Sequence, residues 1–233
     1  MSWGLWVVGI LAGAALSFAV SKAAVSDIER RQLQLFSRPH PGFPAYLAVV
    51  GMLVNVASLI LLQLVLAGAP LGIWVTAALP CWLAGATLPV IALIDARVRL
   101  IPNRIILPLA GVFAALNVAL AIWARNYAPP LVMVVGALCL FAATFAGLGM
   151  GDVKLGLLLC AWLGLYGWFF PLAAFLIASL LAAAYALIKL CLGKAGLKTH
   201  VAFGPAFILG AWAAWILMIL AAPSSSVRGA IFP

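Results

Sequence analysis

Eight stretches of nearly unbroken apolar residues, separated by short polar or proline- and glycine-containing breaks, make up most of the chain. They run at about 3–22, 46–68, 72–94, 104–124, 130–148, 153–167, 169–191 and 202–221. A helix needs roughly 20 mostly apolar residues to cross a hydrocarbon core about 30 Å thick. The pattern therefore predicts an all-α polytopic membrane protein of about eight transmembrane helices. The sixth stretch is the short one, and Gly151 to Phe170 reads either as a full crossing or as a half helix meeting its neighbour near Pro171. The one sizeable polar stretch, 22–45, predicts a loop too short to hold a core of its own. Pro39, Pro41 and Pro44 keep its second half extended, and Ser26 or Asp27 is expected to cap a short helical turn. The expected organisation is one membrane domain over 1–233: helix 1 at 3–22, a cytoplasmic loop at 22–45, a helical core at 46–221 and a short tail at 222–233.

Composition agrees with the pattern. Of 233 residues, 68% are hydrophobic and 7% charged, and the mean hydropathy is +1.28. A soluble domain is excluded. The net charge of +9 has no polar domain to carry it, so nucleic-acid binding is not expected and the basic residues are read as topology. No Lys or Arg precedes the first apolar run, while Lys22, Arg30, Arg31 and Arg38 follow it, which inverts the order of a signal peptide. With the N-terminus outside, inside loops collect those four, then Arg97, Arg99 and Arg104, then Lys154, then Lys189, Lys194 and Lys198. Only Arg125 and Arg228 fall outside, so eight crossings with both ends outside satisfy the positive-inside rule. Trp3, Trp6, Trp74, Trp123 and Trp168 fall near the outer ends, as an aromatic belt requires. The four cysteines stand apart, and His40 and His200 lie in distant loops without a third ligand, so neither a metal site nor a cofactor is expected.

The four acids are Asp27, Glu29, Asp95 and Asp152. Asp27 and Glu29 fall in the polar stretch and are expected to be solvated partners of Arg30 and Arg31. Asp95 closes the third span and Asp152 opens the sixth, which on this topology puts both at the cytoplasmic boundary. An acid at a membrane helix is costly to insert and marks function by default. Two carboxylates sharing a site cannot both ionise, so one proton is held between them and the pair can activate water and protonate a leaving amine. Gly147, Gly149 and Gly151 let backbone or an extended substrate approach closely, and a helix start favours ionised Asp152. On spacing alone the G-x-G-D run also reads as a helix cap with packing glycines, Asp95 as an interfacial partner of Arg97 or Arg99, and Lys154 as a contact to a lipid phosphate or to an acid. Asn55, Ser58, Gln63 and Asn117 read as interhelical hydrogen-bonding residues.

Three blocks, IDARVRLIPNR around Asp95, GLGMGDVKL around Asp152 and THVAFGPAFILGAW near the C-terminus, resemble the type IV prepilin peptidases, membrane aspartyl proteases of the G-x-G-D kind. The resemblance runs from about residue 46 to 221. It implies that Asp95 and Asp152 are the catalytic pair, with Gly149, Gly151, Lys154, Pro102, Asn103, Gly204 and Pro205 shaping the site or binding substrate. It implies a bacterial inner-membrane enzyme that cuts the basic leader of type IV prepilins or pseudopilins after a glycine, at the cytoplasmic face before the substrate's hydrophobic helix, for pilus or type II secretion assembly. Many members carry a cytoplasmic domain with two C-x-x-C pairs and N-methylate the new terminus. Here that place holds only the cysteine-free 22–45 stretch, so cleavage without methylation is expected. Presenilin and signal peptide peptidase share G-x-G-D but not Ile94 before the first Asp or the GPAF block. Two other readings remain open: a transporter or proton- or cation-binding protein using the same aspartates, and an inactive relative serving pilus assembly.

Overall fold

A computed structural model describes residues 3–30, 43–66, 71–99, 101–193 and 203–221, and their regular structure is entirely helical. The helices in chain order are α1 Trp3–Arg30, α2 Phe43–Val65, α3 Leu71–Val98, α4 Asn103–Ala124, α5 Ala128–Ala143, α6 Met150–Leu163, α7 Phe169–Cys191 and α8 Gly204–Ala221, with a single 3-10 turn at Thr144–Ala146. Each falls on one predicted apolar stretch. Among the described residues five, α1 to α4 and α7, are long and apolar enough to cross a membrane, while α5 and α8 are shorter apolar helices. The sixth has 14 residues and ends in a turn that carries Gly164 to Gly167 into α7.

Three expectations are overturned at the end of α1. The helix continues to Arg30, past position 22, because Ala24, Val25 and Ile28 still bury themselves against the rest of the unit. Polar Ser26 does not start a turn; its hydroxyl donates back to the Ala23 carbonyl within the same helix. Asp27 is not solvated. It is only 5% exposed, and its Oδ1 lies 3.7 Å from Nε of Arg104 at the start of α4. The side chains of Glu29 and Arg30, and residues 31–42, His200 and the tail, fall outside the described residues.

The chain divides into two compact units, Met1–Leu109 and Ala110–Pro233. In the first, α1, α2 and α3 pack as a three-helix sheaf. A Cβ on Gly13 would meet Asn55 of α2, and one on Gly51 would meet Ser17 of α1, which fixes an antiparallel α1–α2 register. α3 is the most enclosed helix, with Leu88, Val90, Ile91 and Ile94 fully buried. Gly85 lets it approach so closely that a Cβ there would lie 2.8 Å from the Asn55 Cα. Polar bonds pin the sheaf where lipid offers no partner: Asn55 Nδ2 donates to the Trp82 carbonyl at 2.7 Å, Trp82 Nε1 to the Gly9 carbonyl at 2.9 Å, and Ser17 Oγ to the Ala86 carbonyl at 3.0 Å. Asn55 thus bridges helices as expected, whereas Ser58 donates within its own helix to Val54.

In the second unit α5 and α6 run antiparallel on a seam of small residues. Gly136 lies opposite Cys160, Gly156 opposite Leu140 and Gly164 opposite Val132, one unbroken register. α7 and α8 pack through Gly210, where a Cβ would stand 2.5 Å from the Ala174 carbonyl oxygen. Trp162 of α6 is fully buried between Trp212 and Trp215 of α8, at ring-centroid distances of 4.8 and 6.4 Å. Asn117 Nδ2 donates at 2.7 Å to the carbonyls of Phe113 and of Ala161 on α6, an interhelical bond as expected. Trp123 and Trp168 are largely exposed, as belt residues should be.

Candidate active site

Asp95 sits in the last turn of α3 and is 5% exposed. Its carbonyl accepts from the Arg99 amide at 2.8 Å, and Arg99 ends the helix in the left-handed region at φ 52, a C-terminal cap that turns the chain outward. Pro102 follows, buried, and its carbonyl accepts from the amides of Ile105 and Ile106 at 3.0 and 3.1 Å. Asn103 begins α4. The first unit therefore gathers Asp95, Pro102 and Asn103 in one turn between two helices.

The same end holds a residue that sequence reasoning assigned to solvent. α1 and α3 run in parallel, Ser17 bonded across to Ala86. Advancing both helices by equal steps from that contact brings Asp27 level with Ala96, within one residue of Asp95. The Asp27–Arg104 pair ties the start of α4 to the end of α1 and so closes the turn that follows Asp95. The signal was present: the Ser17, Ser21, Ala24, Ile28 spacing carries a helical stripe past the last strongly apolar residue.

Asp152 lies in the first turn of α6 and is partly exposed. The preceding chain is shaped by glycine. Gly147 adopts φ 97, a conformation that side chains rarely take, and its amide closes the 3-10 turn on the Thr144 carbonyl. Gly149 is the extended N-cap residue of α6 with no side-chain cap, and a Cβ there would stand 3.4 Å from Asp152 Oδ2. Gly151 and Lys154 occupy the same opening turn, both partly buried.

Helix register brings further predicted residues to this end. Continuing the α5–α6 seam puts Thr144 opposite Asp152. Equal steps back from Trp162 between Trp212 and Trp215 bring Asp152 level with Phe203 and Gly204. That level takes α8 to run parallel to α6. Gly204 is buried and Pro205 partly so, where proline is tolerated because the first turn leaves its amides without helical partners. The second unit therefore collects Gly149, Gly151, Asp152, Lys154, Gly204 and Pro205 at one end. Among the described residues no group of three metal-ligating side chains occurs.

Residues 82–187 match the model described as the type IV leader peptidase family. The matched stretch begins within α3 and ends within α7, and contains both Asp95 and Asp152. No curated protein and no solved structure matches the chain.

Proposed function

Because residues 82–187 match the type IV leader peptidase family, we propose that this multi-pass membrane protein is an aspartyl endopeptidase with Asp95 and Asp152 as its catalytic pair. Its substrates are type IV prepilins or pseudopilins, cut after the glycine that ends their basic leader, at the cytoplasmic face of a bacterial inner membrane, with both chain ends outside. A water between the two carboxylates is the nucleophile. The ionised Asp removes its proton as the oxygen attacks the scissile carbonyl, and the protonated Asp donates to the departing nitrogen as the C–N bond breaks. The pair ends with its single proton on the opposite residue, ready for the next water, and it titrates as a unit. No metal or organic cofactor enters this scheme. The new terminus leaves unmethylated, since the 22–45 stretch has no cysteine.

The observation that carries this reading is that both acids lie inside the family match, Asp95 in the last turn of α3 and Asp152 in the first turn of α6. Arg99 and Arg104, beside Asp95, are more than a third exposed and give the acidic site a positive margin that the inside-facing charges predict.

Co-expression with a prepilin and gel mobility of the product tests it. The intact protein is expected to shorten the substrate, and Asp95→Asn and Asp152→Asn each to abolish shortening while still inserting in the membrane. Processing at the intact level by either variant rejects the pair. A methyl group on the product terminus by mass spectrometry rejects cleavage without methylation.

A further inference from the structure

The second unit carries a groove of about 580 Å³ that the chemistry above leaves unused. Its walls come from α5, α6, the start of α7 and Phe207 of α8, and are almost wholly apolar, with Val135, Cys139, Gly156, Cys160, Leu163 and Leu172 among them. Val135, Cys139 and Leu172 are open at the surface.

Position along α6 distinguishes this groove from an ordinary lipid-facing furrow. The α6 residues in it, Gly156, Leu159, Cys160 and Leu163, recur at steps of three and four and so form one stripe. Asp152 stands one turn before Gly156 on that same stripe. Across the seam, Ala143 also lines the groove, and the α5–α6 register puts it level with Val153. The groove therefore begins within one turn of Asp152 and follows α6 down to Leu163, about 16 Å away at 1.5 Å per residue.

We infer that this groove is the docking site for the apolar helix of the substrate, aligned so that the peptide bond preceding that helix reaches Asp152; the inference rests on the protease reading above. A chain that passes Asp152 and continues into the bilayer must satisfy its backbone internally, so it enters as a helix. The groove walls offer almost no polar partner, so the face it accepts is apolar. Three turns of α6 lie between Asp152 and Leu163, enough to fix the rotation and depth of a docked helix. Depth then selects the bond that is cut. Such docking relies on close packing rather than on hydrophobic burial, which lipid already satisfies.

Native Cys139 supplies the test. By register it is level with Leu157, about 7 Å below Asp152, so it faces substrate residues about five positions after the cut. The Asp152→Asn variant in membranes is given a prepilin-type substrate with single cysteines scanned along its apolar helix, and a short bis-maleimide is added. Crosslinks are expected to centre about five residues after the cut, to recur at three- to four-residue spacing, and to vanish in the added Cys139→Ala variant. Crosslinking without that depth and spacing, or none, overturns the docking site. If Asp152→Asn cuts the substrate as the intact protein does, the protease reading falls and the docking site with it. Kinetics provide the second arm: Leu172→Trp, which fills the groove, is expected to raise KM for the full-length substrate about tenfold and to lower kcat by much less, consistent with loss of helix packing. Leu180→Trp, on α7 but outside the groove and 71% exposed, is expected to leave KM unchanged. Equal KM values for the two variants overturn the proposal and assign the groove to lipid.

Discussion

Gly210→Ala tests whether the second unit is packed as described and whether its site depends on that packing. The added Cβ would lie 2.5 Å from the Ala174 carbonyl oxygen, 2.7 Å from the Ala178 amide nitrogen and 2.9 Å from the Ala178 Cβ. Two of the three are backbone atoms of α7, so no rotamer change relieves the contact. Non-bonded carbon contacts settle near 3.5 Å, so α8 must retreat by roughly 1 Å, which forfeits about a quarter to a half of the attraction along the seam. Overpacking of this kind costs about 1–3 kcal/mol, and alanine's better helix propensity returns about 1 kcal/mol. A net loss of about 1–2 kcal/mol is expected, since the clash falls in the upper part of that range. Gly111 in α4 is the control: a Cβ there meets nothing within 4 Å, so Gly111→Ala is expected to gain up to about 1 kcal/mol from propensity alone. Thermal unfolding in detergent, followed by near-UV circular dichroism of Trp162, Trp212 and Trp215, reads both. Prepilin processing is expected to fall in Gly210→Ala, because α8 carries Gly204 at the level of Asp152, and to persist in Gly111→Ala. If Gly210→Ala melts at or above the temperature of the unmodified protein, the close α7–α8 approach is refuted.

Arg104→Gln is expected to lower the melting temperature, and to do so much less in an Asp27→Asn background. The double-mutant cycle should return a coupling between about 0.5 and 3 kcal/mol, nearer the lower end because the Arg104 side chain is 54% exposed. Asn117→Leu removes donors to Phe113 and Ala161; a loss of about 1 kcal/mol in the same assay is expected, and no loss refutes a structural role for the interhelical bond.

Helix number and placement were legible because lipid imposes a single rule, that backbone groups pair within a helix and side chains be apolar, and hydropathy reports that rule directly. Helix ends were less legible. The span rule stops at the last strongly apolar residue, but α1 obeys packing beyond it, which is how Asp27 came to be read as solvated and is in fact buried against Arg104. Seams were not legible either. Gly136, Gly156 and Gly210 are common residues in membrane helices, and only the opposite helix shows that each sits where a methyl group would collide. Trp162, Trp212 and Trp215 illustrate the same limit, since tryptophan in such a chain is first read as an interfacial residue and here forms an interior cluster. The candidate acids stood out on the sequence because charge is so scarce; their local settings, a capped helix end for Asp95 and a glycine-cleared helix start for Asp152, needed coordinates.

The brevity of α6 has a consequence for hydrolysis. Its 14 residues extend about 21 Å, against a hydrocarbon core of about 30 Å. On the reading in which α6 crosses the membrane, a helix that short is accommodated by local thinning of the bilayer, at a modest cost for each ångström of mismatch. On that reading headgroups and their hydration dip toward the helix end where Asp152 stands. The proposed hydrolysis, which consumes one water per cut, would then draw that reagent from the deformed bilayer surface beside Asp152.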